Sequence, residues 1–457
     1  MSMVLTDRLV NHLVTLSETE LLEVDKRQVR RCLTDYLGVT YAGAEILKDK
    51  AKAYHDFSGS TGSIRALGFS RPVQLTTAAF LNGLFSHVAE LDDGDRFGMF
   101  HPGAPIFSAL LPLIQKYPVS TSGFEKAIIC GYEASMLIAR TMQPHLKERG
   151  FHGTGIAGII GAAVACAIAL NANGEELKAV LSAATTSASG LLKVIKGKSQ
   201  MKPLNVAYAA QNGLQAALVM KAGFAGSEDV LDGDLGFFKA YSDKLKTDVI
   251  CNASANESRL IHSIYVKPYA ACRHCHAPIE AAISISHKVN LSPDDIESVK
   301  VYTYKWAITG HDHTEITGMN SAKMSIPYSV AAALVKKRGD IHVYDEPYLS
   351  DRQIVHLARK VSVIEDLEMS SNAPAKRSSS VEVKLKSGIE KDNDGYAFFV
   401  ALPKGEPENP MTDEELVHKA EGLCYFYGME AAKKNQVLSL IGAKDLDSKT
   451  IGAVIYS

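Results

Sequence analysis

The chain has no apolar run long enough to cross a bilayer. Its longest, Ile156 to Leu170, is fifteen residues, mostly Ala, Gly, Ile and Val, against the ~20 that a membrane-spanning helix needs. Nor is there a charge excess of either sign, since 49 Lys and Arg stand against 51 Asp and Glu for a net charge of -2. A chain this neutral has no electrostatic ground for binding nucleic acid or an anionic membrane surface, and neither is expected as a partner. Cysteine is sparse, with seven in 457 residues scattered from Cys32 to Cys424. An odd, dispersed set makes no disulfide framework and points to a reducing compartment. The first residues, Met1-Ser2-Met3-Val4-Leu5-Thr6-Asp7, have neither a basic start nor an apolar stretch of secretory type. A cytoplasmic protein of enzyme size is expected.

What is present is an ordinary globular balance, 46% hydrophobic and 22% charged, which excludes extended disorder. Before about residue 265 the pattern is helical. Val10, Leu13, Val14 and Leu16 recur near helical spacing, as do Ala127, Ile128, Tyr132, Met136 and Ile138. The small residues of the 156–170 run let neighbouring helices approach closely and predict a buried central helix. Lys221-Ala222-Gly223-Phe224-Ala225-Gly226-Ser227 predicts a helix end, a turn and a new helix starting at Ser227. After His262 the character changes. A helix is expected from about Ala277 to Val289, and Val299-Lys300-Val301-Tyr302-Thr303-Tyr304 and Val381-Glu382-Val383-Lys384-Leu385 alternate as strands do. Pro403 to Pro410 is polar and linker-like, and Thr412-Asp413-Glu414-Glu415 begins another helix. The expected layout is a helical domain over 1–266, an α+β domain over 267–402, and a returning helical segment over 403–457.

Two motifs invite readings that their contexts oppose. Gly153-Thr154-Gly155-Ile156-Ala157-Gly158 satisfies G-x-G-x-x-G, yet the polar stretch Gln143 to Gly150, with Pro144 in it, stands where a buried strand is required. Tight helix packing is the better account. Cys272-Arg273-His274-Cys275-His276 offers zinc ligands, but no second C-x-x-C exists and His311 and His313 lie at no recognised spacing. No metal is expected.

Polar clusters interrupt the small and apolar residues at four places, and Ser325-Ile326-Pro327-Tyr328 follows them. The first is His87…Asp92-Asp93…His101-Pro102-Gly103, and the second Gly150-Phe151-His152-x-Thr154-x-x-x-Gly158. The third is Lys202-Pro203-Leu204 with Ala209-Ala210-x-x-Gly213, and the fourth Lys267-Pro268-Tyr269-x-x-Cys272-Arg273-x-x-His276. Taken singly, each histidine is an ordinary structural residue and each acidic pair a cap. In this order, across most of the chain, they resemble the MmgE/PrpD family, which includes 2-methylcitrate dehydratase, cis-aconitate decarboxylase and iminodisuccinate epimerase.

The resemblance implies a mainly α fold, a large all-helical domain with an inserted α+β lid, and an active site between them that uses no cofactor and no metal. It also implies a homodimer. By the same resemblance His101, Lys202, His276 and Tyr328 are the catalytic positions, and Asp93, His152 and Arg273 bind substrate. Those residue types suit proton transfer beside a carboxylate: the carbon acid is weak, fixed cations stabilise the enediolate, and histidine exchanges protons near neutral pH. Asp92 and Asp93 each suit two roles, orienting a histidine or capping a helix. The expected function is a lyase, dehydratase or decarboxylase, acting on a small di- or tricarboxylate. An epimerase of a small dicarboxylate is the alternative, and a non-catalytic helical binding protein the less favoured one. Two departures bear on the choice. Glu90-Leu91-Asp92-Asp93-Gly94 stands where dehydratases and decarboxylases tend to carry Asp-Phe-Asp-Asp-Thr, and Asn205 and Ala207 replace the His and Gly common after Lys-Pro-Leu. The 95–100 stretch before His101 looks more like the epimerase-type branch.

Overall fold

The computed structural model describes residues 4–195, 199–255, 259–289, 292–386 and 395–456. Among the described residues the protein is mainly α, with one small four-stranded sheet. It divides into two units, one of Met1–Val194, Met201–Tyr265 and Thr412–Ser457, the other of Ile195–Gln200 and Val266–Met411.

The first unit is helical. Its core is built on α1 (Glu23–Ile46), α2 (Leu75–Val88), α3 (Gly103–Lys116), α4 (Thr121–Met142), α5 (Gly158–Ala169) and α6 (Lys202–Lys221). Every residue of α5 is buried, as the small-residue run predicts. Gly131 of α4 and Gly161 of α5 face each other so closely that a β-carbon on either would sit 2.8 Å from the other's carbonyl oxygen. The G-x-G-x-x-G motif is likewise spent on packing. A β-carbon at Gly155 would meet the Ser189 carbonyl oxygen at 2.1 Å, and one at Gly158 would meet the Pro105 ring at 2.7 Å. Gly83 lets α2 touch the backbone of Ala207 in α6, which brings the C-terminal end of α2 beside the N-terminal end of α6. The helix expected at Ser227 does not form. Residues 228–235 make turns instead, with the Asp229 carbonyl accepting from Asp232 N at 3.1 Å and Gly233 N at 2.8 Å, and the next helix is Phe237–Tyr241.

The second unit carries α7 (His276–Lys288), β1 (Ile296–Thr303), α8 (Ile326–Lys336), β2 (Val361–Glu365), β3 (Ser379–Leu385) and β4 (Gly395–Val400). The strand order is β2-β1-β3-β4, with β1 and β2 parallel and the other pairs antiparallel. Alternation places Val299 and Val301 of β1 beside Val383 and Val381 of β3 on the buried face, and α7 packs against β3 and β4. Residues 403–411, expected as the first part of the returning helical segment, group with this unit instead. The reason is Glu406, fully buried in an ion pair with Arg273 at 2.8 Å. Beyond them the chain re-enters the first unit through α9 (Asp413–Phe426). Its start is capped reciprocally by Thr412 and Glu415, and Asp413 pairs with Arg27 and Arg31 of α1.

Candidate active site

The α2–α6 contact and the loop from Ala89 to Pro102 bring four of the expected site residues into the first unit's polar cluster. His87, at the end of α2, is fully buried, and its ring centroid lies 5.0 Å from that of His101 and 5.9 Å from that of His152. Asp92 Oδ2 lies 2.7 Å from His87 Nδ1 and 3.3 Å from His101 Nδ1. Asp92 is therefore the histidine-orienting acid. His101 Nδ1 is also 2.6 Å from the carbonyl oxygen of Asp93. A carbonyl can only accept, so Nδ1 carries the hydrogen and Nε2 of the neutral ring is the proton-accepting nitrogen.

His152 has the opposite tautomer. The Asn205 side-chain amide nitrogen lies 3.0 Å from His152 Nδ1 and 3.5 Å from the Leu191 carbonyl oxygen. The carbonyl requires a donor there, so His152 Nδ1 accepts and its hydrogen sits on Nε2. Burial, reinforced by the nearby charges of His87 and Lys202, holds the His152 pKa well below the ordinary histidine value. It remains a neutral hydrogen-bond donor near pH 7. Lys202, at the first turn of α6, forms an ion pair with Glu90. Glu90 itself is held in the left-handed region at φ 57°, a costly conformation for a residue with a β-carbon.

Asp93 has a different place from the one the resemblance implies. Its carboxylate turns into the fold, accepting from Gly103 N at 3.0 Å and from the Tyr132 hydroxyl at 2.5 Å, so it anchors the start of α3. Burial, opposed by the Tyr132 hydrogen bond, pushes its pKa up to about 7.

The remaining three expected residues lie in the second unit. Arg273 is buried with its guanidinium already committed, to Glu406 through Nε at 3.1 Å and Nη2 at 2.8 Å and to His276 Nδ1 through Nη1 at 2.9 Å. It positions His276 and is not laid out as an open carboxylate clamp. His276 accepts at Nδ1 from Arg273 and donates from Nε2 to the Ala271 carbonyl at 3.2 Å, which fixes a neutral tautomer. Tyr328, in the first turn of α8, is fully buried and donates its hydroxyl to the Val343 carbonyl at 2.8 Å. Burial raises its pKa, so its hydroxyl is a structural tie here.

Sequence reasoning did not assign roles to His87, Glu90 and Asn205. The signal for His87 was its spacing five residues before Asp92. Among the described residues His87, Asp92 and His101 also hold metal-ligand atoms within 4.8 Å of one another. The Nδ1 hydrogens already point at oxygen acceptors, however, that of His87 at Asp92 and that of His101 at the Asp93 carbonyl, and a cation would have to displace both.

Residues 7–249 match the MmgE/PrpD N-terminal domain and residues 269–441 the MmgE/PrpD C-terminal domain. The chain is 24% identical to the cis-aconitate decarboxylase-like protein oryM of Aspergillus oryzae, over 91% of this chain and 89% of that one. It is 25% identical to the cis-aconitate decarboxylase of Aspergillus terreus over 79% of this chain and 77% of that one. With the cis-aconitate decarboxylase of Homo sapiens the identity is 23% over 85% and 81%.

Proposed function

The chain belongs to the MmgE/PrpD family, and from that premise we propose that it is a cofactor-independent lyase of a small di- or tricarboxylate, a decarboxylase or dehydratase. The observation that carries this reading is the pair of opposed tautomers, with a proton-accepting nitrogen on His101 and a neutral N–H donor on His152, in one cluster with the Lys202 ammonium. In dehydration His101 Nε2 removes the proton next to a carboxylate, and the electron pair expels the β-hydroxyl, which leaves as water. In decarboxylation the C–C bond breaks, the carboxylate departs as carbon dioxide and leaves its electron pair on the substrate, and His101, having taken up a proton from solvent, delivers it to that carbon. Either path builds negative charge on carboxylate oxygens. Lys202 meets it with an ammonium charge that it shares with Glu90, and His152 with a hydrogen bond that needs no proton uptake. The relatives named as cis-aconitate decarboxylases favour that substrate class.

Epimerisation of a small dicarboxylate is the second reading, and Gly94 favours it. Where dehydratases and decarboxylases tend to carry threonine, a β-carbon here would collide with the Tyr265 ring and hydroxyl at 2.3 Å, so a threonine would have to displace the Tyr265 side chain. The test is incubation with 2-methylcitrate, citrate, cis-aconitate and iminodisuccinate in deuterated water, followed by NMR and mass spectrometry. A product of lower mass supports the lyase, deuterium at the α-carbon with no loss of a group supports the epimerase, and no change in any of the four sinks both.

A further inference from the structure

The proposed reaction makes no use of the C-x-x-C at Cys272 and Cys275, and we infer that these two residues are a redox-active dithiol that a hydroperoxide closes to an intramolecular disulfide. Both side chains are thiols in the structure, Cys272 partly exposed and Cys275 fully buried. Cys272 caps the short 3-10 turn Arg273–Cys275, which runs directly into the thirteen-residue helix α7. Cys275 N donates to the Cys272 carbonyl at 2.8 Å. That closed turn keeps the two α-carbons within ~7 Å, the range a disulfide spans. One oxygen ties both residues to the same place, because the Lys323 carbonyl accepts from Cys272 N at 2.9 Å and from Cys275 Sγ at 4.0 Å.

The two thiols also divide the labour a dithiol needs. The accessible one is open to attack by the hydroperoxide, and the buried one follows three residues later as the resolving thiol. The chemistry balances without another reductant. The Cys272 thiolate attacks one peroxide oxygen, the O–O bond breaks, and hydroxide leaves and is protonated, giving a sulfenic acid and one water. The Cys275 sulfur then attacks the Cys272 sulfur, the S–O bond breaks, and a second water departs. Two thiols and one peroxide become one disulfide and two waters. The ring encloses Arg273 and His274 and ends at the residue before His276.

The whole chain, treated with equimolar hydrogen peroxide and digested under alkylating conditions, is expected to yield a Cys272–Cys275 disulfide. Two of its seven titratable thiols should disappear, and dithiothreitol should restore them. Cys275→Ser should instead hold Cys272 as a sulfenic acid captured by dimedone, whereas the wild type should not be labelled. Cys275→Ala provides the same test should the serine variant fold poorly. The inference is overturned if peroxide leaves both thiols titratable, if Cys272 pairs with another cysteine, or if dimedone labels wild type and variants equally. These readouts concern sulfur alone and stand apart from whichever carboxylate is turned over.

Discussion

Asp93 and Lys202 both sit beside the candidate site, and their surroundings predict opposite consequences for replacing them. Asp93 is pushed from 3.8 to about 7 chiefly by burial, so the folded state holds its proton over a pH range where the unfolded chain has lost it. A raised pKa means that the stability is fully present below about 4 and is lost as the pH rises through 7. The slope is at most ~1.4 kcal/mol per pH unit for one proton. Asp93→Asn, which keeps an acceptor for Gly103 N, should flatten that loss, as urea midpoints measured from pH 4 to 8 would show. Equal slopes in the two proteins would mean that Asp93 is ionised throughout. Lys202 is different because its partner Glu90 is buried. Lys202→Ala should lower turnover roughly 10²–10⁴-fold if it stabilises the transition state. It should also lower the melting temperature, since stripping one partner from a buried pair typically costs about 3–5 kcal/mol. Exchanging both partners, Glu90→Gln with Lys202→Gln, should recover much of the stability and none of the turnover. Full turnover in the double variant would remove Lys202 from the mechanism.

At the level of elements, the first unit rests on helices whose glycines allow backbone to meet backbone. Gly161→Ala would drive a methyl group toward the Gly131 carbonyl oxygen and the Ser135 side chain, each 2.8 Å away. A loss of about 1–3 kcal/mol is expected from such overpacking, seen as a lower Tm without altered substrate specificity. An unchanged Tm would show that α4 and α5 can part at no cost. These helices were legible in the sequence because their periodicity and small residues are local signals. So was the Thr412–Glu415 cap, whose partners lie three residues apart. The turn at Asp229 was not, because its geometry is shared with Thr6, whose hydroxyl accepts from Leu231 N at 3.1 Å. β2 and β4 escaped notice as short edge strands that acquire meaning only beside β1 and β3. The site shows the same division. Its motifs named the clusters that hold His101, His152 and Lys202, but proton positions depend on partners far along the chain. Glu90 and Lys202 are 112 residues apart, and Arg273 and Glu406 are 133 apart. No local pattern could show that Arg273 is committed or that Asp93 turns inward.

For the whole molecule, among the described residues no helix is long and apolar enough to cross a membrane. Family membership and the Ala- and Gly-rich helices lead us to expect a homodimer, and sedimentation at micromolar concentration should give the mass of two chains. A single-chain mass would contradict it. Val266 N, at the point where the chain enters the second unit, donates to the Gly405 carbonyl at 2.9 Å, close to where it leaves. A β-carbon at Gly405 would fall 1.8 Å from the Val266 carbonyl oxygen, so the two strands of chain run past each other in direct contact. The long segment of that unit, Val266–Met411, has its entrance and exit stitched together, so it can be gained, lost or exchanged as a block in the history of a gene, because those two junctions already lie side by side. The glycine at position 405 is the residue that keeps this seam closed.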